Sequence, residues 1–362
     1  MTTMKGFPVP KEQRVPRDLW DRAPWNRWSF QHIREILPTT EVWRGSGPVW
    51  QLAENPVDLD PISFDSQSGQ AITVIDWLSQ NFADGIVVLH EGKIRYERYF
   101  NDMTARTLHL SQSMAKSVTS AVAGILVSRG QLDPEEQITT YLPELTQTGW
   151  KGAKLRHALD MTSGVRYVED YEALDSDMAS TDVASGWRPA KPDVPYFQCI
   201  WDQILSLTET VREHGEVFEY RSIETEVLAH CMERVTQTPL AELISCELWQ
   251  PLGVEESACF TVDGAGYPLA DGGFNATLRD YARFGEMLCN DGTANGQQIV
   301  PKAWIADSLN ADPSIFSDTN NMDLDNGAYR NQFWIRDVDR RILIARGVFG
   351  QIIYADLDNR VT

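Results

Sequence analysis

An α+β fold is predicted, with an antiparallel sheet assembled from both ends of the chain, flanked by helices, and a mainly helical subdomain inserted between those ends. Three observations predict it: β-rich runs near residues 85–99 and again after residue 330, helical periodicity in between, and no βαβ alternation or internal repeat. The expected division is 1–131 with 265–362 for the sheet and its N-terminal arm, and 132–264 for the insertion. The two parts would meet in a cleft, where small-molecule sites usually sit.

The first fifty residues are rich in Pro and Trp (Trp20, Trp25, Trp28, Trp43, Trp50) and read as an extended arm held to the body by its indoles. "GIVVLHEGKIRYERYF" (85–100) gives two β-rich runs around Glu91-Gly92, a hairpin signal. In "LHLSQSMAKSVTSAVAGILVSRG" (108–130), Met114, Val118, Ala121, Val122 and Ile125 recur at helical spacing and Gly130 ends the helix. Residues 132–264 are mostly helix and loop. They include "LRHALDMTSGV", a long polar loop around 166–195, and "IETEVLAHCMERV" with Ile223, Val227, Cys231 and Val235 in register. "DGGFNATLRDYARFGEML" reads as a glycine turn and a helix with Thr277 and Asp280 spaced as a capping box. The stretch from Asn331 to Thr362 contains three β-like runs.

Hydrophobic residues at 42% and charged residues at 23% are ordinary for a globular chain, which excludes disorder as the main state. A formal charge of -20 opposes nucleic acid and anionic membranes as partners and favours cationic or neutral ligands. Cys199, Cys231, Cys246, Cys259 and Cys289 are odd in number and scattered, and read as free core thiols of a reducing compartment. No CxxC or HExxH spacing occurs, so neither a metal nor another cofactor is expected. The N-terminal stretch has no apolar signal region and no later stretch approaches a membrane span, so a cytoplasmic protein is expected, with a homodimer compatible.

Ser113 and Lys116 stand three residues apart at the head of the 108–130 segment, close enough on a helix to touch. A serine hydroxyl needs a base to become a nucleophile. Lys116 serves only if neutral, and moving an amine from about 10.4 to neutral pH costs about 4 kcal/mol, which burial can supply. A helix start would also aim the Ser113 main-chain N–H at a developing oxyanion. The alternative on these residues alone is a helix-capping serine beside a solvated lysine.

Ser113-Met-Ala-Lys116, Tyr220-Arg-Ser222, "LRHALDMTSGV", "DGGFNATLRDYARFGEML" and the late "GVFGQ" occur in the order and spacing of the β-lactamase-related serine hydrolases. The chain resembles that family over nearly its whole length. Within it, "PWNRWSFQHIREILPTTEV", "YVEDYEA", "STDVASGWR" and "VFEYRS" are similar to stretches of the 6-aminohexanoate-oligomer amidases. The resemblance implies a β-lactamase/transpeptidase-like fold acting as a single catalytic unit. It implies Ser113 as nucleophile, Lys116 as general base, Tyr220 as a second proton-transfer group, and the Ser113 and Val348 main-chain N–H groups as the oxyanion site. It further implies that Tyr171, Asp182, Trp187 and Asp271 line the substrate site. Asp182 and Asp271 are each able to meet a substrate ammonium. Trp187 and Tyr171 would wall a methylene chain, the Tyr171 hydroxyl steadying a leaving nitrogen.

The expected function is therefore a serine hydrolase of linear amides, of the 6-aminohexanoate-oligomer kind, and of carboxylesters, through an acyl-enzyme. Two other readings stand beside it: a β-lactamase or DD-peptidase, and a penicillin-recognising fold that binds a ligand without turnover. Ser222 where lactamases show Asn, and Gly347-Val348-Phe349 where they show Lys-Thr-Gly, count against lactam cleavage, although Arg346 lies close by. Family chains usually run past the position of Thr362 into another strand and a helix, so a truncated chain with an open sheet edge is expected. An α/β-hydrolase is disfavoured by the absence of G-x-S-x-G.

Overall fold

The computed structural model describes residues 3–316, 324 and 326–362. Its main sheet is built from both ends of the chain, as expected. Gly85–His90 and Lys93–Tyr99 form the predicted hairpin. Ala328–Arg330, Phe333–Ile335, Ile342–Gly347 and Gln351–Asp356 form an antiparallel meander. The last three residues join the two halves. The Leu89 N–H donates to the Thr362 carbonyl at 2.7 Å, the Thr362 N–H returns a bond at 3.0 Å, and Val361 bridges to Asp356. Among the described residues, Gly85–His90 and Gln351–Asp356 each pair along their length with one strand only, so each is an edge strand.

A second, smaller sheet was not foreseen. It pairs Thr39–Val42, Ala258–Thr261, Phe274–Ala276 and His109–Leu110. His109 and Leu110 thus form a short strand ahead of the following helix. Gln112, with φ +51°, turns the chain in a left-handed conformation before the helix begins.

That helix, Met114–Ser128, is the central post of the molecule: every residue from Met114 to Leu126 is buried. Its polar positions survive burial because each finds a main-chain acceptor, Ser117 on Gln332 at 2.7 Å and Ser120 on Asn331 at 2.5 Å. The Ile223–Thr236 helix packs against it with Ile223, Val227 and Cys231 fully buried, as the periodicity predicts. Trp20 anchors the N-terminal arm: its ring is fully buried, and its Nε1 donates to the Trp187 carbonyl at 2.8 Å. Trp43 departs from that role and lies half exposed. Leu278–Cys289 begins at Thr277, whose Oγ1 accepts the Asp280 N–H and donates to the Asp280 carboxylate at 2.7 Å. All five cysteines are unpaired; four are buried, and Cys246 is exposed rather than in the core. Among the described residues no helix is long and apolar enough to cross a membrane.

Close packing of the central helix makes a prediction. A Cβ on Gly124 would lie 2.3 Å from the Trp304 ring. Gly124→Ala therefore destabilises the fold by about 1–3 kcal/mol despite the better helix propensity of alanine. A fall in the urea midpoint checks it.

Candidate active site

The short strand His109–Leu110 leads the chain to the Gly347 end of the Ile342–Gly347 strand, Gln112 turns it, and Ser113 stands at the N-cap of the buried helix. Lys116 follows one turn later with its side chain 1% exposed. Its ammonium donates to Ser113 Oγ at 3.0 Å, to Ser222 Oγ at 3.0 Å and to the Asp271 carbonyl at 2.9 Å, and its Nζ lies 3.7 Å from Asp271 Oδ2. All three ammonium protons are thereby placed. Tyr220, just before the Ile223–Thr236 helix, brings its ring centroid to 5.1 Å from Nζ. The solvated-lysine alternative is ruled out by this burial.

The charge on that amine departs from expectation. Burial pulls the Lys116 pKa down, but Tyr220, Asp271 and Glu169 pull it up further, and it stands above its ordinary value. The shift at Lys116 thus runs opposite to the one that burial alone would give. Burial also raises the Tyr220 phenol, with Lys116 working against the shift and Glu169 with it, so the phenol is protonated at rest.

The hairpin turn after Ile342–Gly347 closes the site from the sheet side. A Cβ on Gly347 would meet the Ser111 carbonyl at 2.4 Å and Ser113 N at 3.0 Å, so only glycine lets the strand approach so closely. Val348 follows in the turn with Phe349 at φ +65°. Neither the Ser113 nor the Val348 N–H donates a hydrogen bond among the described residues. Both are free for a ligand oxygen.

Ser113, Tyr171, Asp182, Trp187, Asp271 and Val348 line one narrow cleft, with Lys116 in contact with its Ser113 wall and Tyr220 beside Lys116. A larger, wide-open groove around Trp50, Asp291 and Arg341 is lined by none of these residues. Within the cleft the four expected lining residues differ in what they offer. Trp187 is a fixed wall, edge-on to Trp20 at 5.1 Å with Nε1 on Thr261 at 3.1 Å. Asp182 presents a carboxyl 3.8 Å from the Arg188 guanidinium, which is itself paired with Asp21. Burial pushes Asp182 up to about 7, against Arg188 and with Asp21. Asp271 is turned inward, 5% exposed, toward Lys116 rather than the open cleft. The Tyr171 hydroxyl is committed to Glu169 Oε1 at 2.6 Å, so its proton is not free for a leaving nitrogen.

Glu169 was missed from the sequence. Its Oε1 also accepts from Ser222 Oγ at 2.6 Å, and its Oε2 accepts the Ser222 N–H at 2.8 Å. Burial raises its pKa, with Lys116 and these bonds opposing. Nothing marks it within the acidic stretch Glu169-Asp170-Tyr171-Glu172 as the buried member. Glu226 was missed too, although a signal existed: an acid three residues after Ile223 falls on the buried stripe of its helix.

A Beta-lactamase family model matches residues 80–362. The chain is 31% identical to 6-aminohexanoate-dimer hydrolase of Paenarthrobacter ureafaciens over 343 residues, 94% of this chain and 84% of the relative. A solved 6-aminohexanoate-dimer hydrolase homologue from Bacillus anthracis superposes with a TM-score of 0.89 at 30% identity, covering 98% of this chain and 91% of its own. A penicillin-binding protein homologue from Pyrococcus abyssi shares the fold at 16% identity with a TM-score of 0.62, over 80% of this chain and 70% of its own. With its cleft, a serine in contact with a buried lysine and a family match over most of its length, the chain belongs to the β-lactamase family of serine hydrolases.

Proposed function

We propose that the chain hydrolyses linear amides bearing a free amino group, of the 6-aminohexanoate-oligomer kind, and carboxylesters, through an acyl-enzyme on Ser113. The observation that carries this reading is the 3.0 Å contact of Lys116 Nζ with Ser113 Oγ at the wall of a cleft that Asp182 also lines. Ser113 Oγ attacks the carbonyl carbon while its proton passes to the Lys116–Tyr220 pair. The Ser113 and Val348 N–H groups hold the oxyanion. The C–N or C–O bond then breaks, the same proton going to the leaving atom, and water releases the acid and restores the hydroxyl.

Because the pair is protonated at rest, the reactive form holds one proton fewer. Both groups sit above their ordinary values, so lowering pH depletes the reactive form and raising pH populates it. Trp187 and the Tyr171 ring bound a slot for a methylene chain, with Asp182 to receive an ammonium. The names of the relatives support the same substrate class.

Ser113→Ala is expected to abolish p-nitrophenyl acetate cleavage, and wild-type turnover by that variant would end the reading. For the wild type, kcat/KM for this ester rises with pH from neutral into the alkaline range. Gly347→Ala lowers kcat about 10²–10³-fold by pushing the Val348 turn from Ser113, as loss of an oxyanion donor does. For 6-aminohexanoate dimer, KM rises as pH falls below about 7, where Asp182 takes up a proton. Asp182→Asn removes that dependence and raises KM about 10–100-fold, the worth of a charge-assisted hydrogen bond, while leaving acetate ester cleavage near wild type. Steady-state kinetics on the two substrates check both statements.

A further inference from the structure

Behind Asp271, away from the cleft, stands a second carboxyl group. Glu226 lies in the first turn of the Ile223–Thr236 helix, 3% exposed, and its Oε1 accepts the Asp271 N–H at 2.8 Å. The two carboxyl groups are thus neighbours in a buried place, where two ionised carboxylates would repel and neither would have a proton to give the other. With both ionised, Asp271 Oδ1 is buried without any donor. The cation near the pair is Lys116, and it faces Asp271. Glu226 forms no ion pair among the described residues. Of the two acids, Glu226 is the one to keep a proton.

We propose that Glu226 is a positioning residue, a neutral carboxylic acid whose proton is donated to Asp271 and holds Asp271 as the aimed, charged partner of Lys116. The inference rests on the reading of Ser113 and Lys116 given above. Burial and the neighbouring Asp271 charge push Glu226 well above the carboxylate range, which agrees with the geometry. The other groups facing the cluster are Tyr220 and Glu169 around Lys116, and Tyr167, Tyr171 and Asp182 on the cleft side of Asp271. None of them supplies Asp271 with a donor proton among the described residues. Without the Glu226 proton, the Asp271 carboxylate would lose the donor that aims it, and Lys116 would lose its aligned anion. The Lys116 pKa would then fall and the rising limb of the pH–rate profile would move to lower pH.

Two variants separate this from a packing role. Glu226→Gln keeps a neutral donor and an acceptor in the same place, whereas Glu226→Leu keeps volume and loses both. With p-nitrophenyl acetate, the limb of kcat/KM stays within about half a pH unit of wild type in Glu226→Gln and moves about one pH unit or more toward acid in Glu226→Leu. Equal shifts in the two variants would overturn the proposal. An infrared difference spectrum, wild type minus Glu226→Gln at neutral pH, needs no activity. It shows the carbonyl stretch of a protonated carboxylic acid if the proposal holds, and carboxylate bands alone if it fails. Failure of the Ser113 reading is seen separately, in turnover retained by Ser113→Ala.

Discussion

A lysine ammonium buried in the centre of the protein, with its three protons directed to Ser113, Ser222 and the Asp271 carbonyl, is the constraint on which the site depends. Removing an ammonium from water costs several kcal/mol even after relaxation, and only close partners offset it. Each partner is fixed by a different part of the chain. Ser113 comes from the helix that carries Lys116, Ser222 from the start of the Ile223–Thr236 helix, and Asp271 from the glycine turn ahead of Phe274–Ala276. The cation therefore ties the sheet part to the inserted helices. Loss of any one partner would leave a polar group unpaired in a dry place.

The same arrangement explains why Lys116 keeps its charge. Burial alone would drive the proton off, and the nearby acids reverse the outcome. At roughly 4 Å and the effective dielectric typical of such pairs, one opposite charge contributes about 4 kcal/mol, comparable to the cost of burial. The sequence contains the lysine and its spacing from Ser113 but not the distance to Asp271, which lies 155 residues away. The lysine's spacing from Ser113 is a local signal, whereas the acids that work against burial come from distant segments.

Other elements divide along the same line. Periodicity at Met114–Ile125 and Ile223–Val235, the Glu91-Gly92 turn and the Thr277 cap are local signals, and each produced its element. The sheet of Thr39–Val42, Ala258–Thr261, Phe274–Ala276 and His109–Leu110 depends on pairings between distant short strands, with no local signature. The residues that gather in the cleft were found through motif order. Their individual roles were not, because orientation is a property of the packed state. Tyr171 faces Glu169 and Asp271 faces Lys116 for reasons that lie in other segments.

One full cation in a buried site sets how many of the surrounding acids can be ionised together. Asp271 lies nearest Lys116, while Glu169, Glu226 and Asp182 all have raised pKa values, with burial the leading cause in each. A second or third carboxylate would repel the first across a medium that screens weakly, and protonation is the cheaper outcome. Burial thus works against charge on each of these acids, while Lys116 favours it on Glu169. Asp182, at about 7, is the member on the cleft side and the one nearest its own switching point. Arg188, 3.8 Å away, opposes that shift, so burial and a neighbouring cation together set the charge of the carboxyl group that faces the cleft.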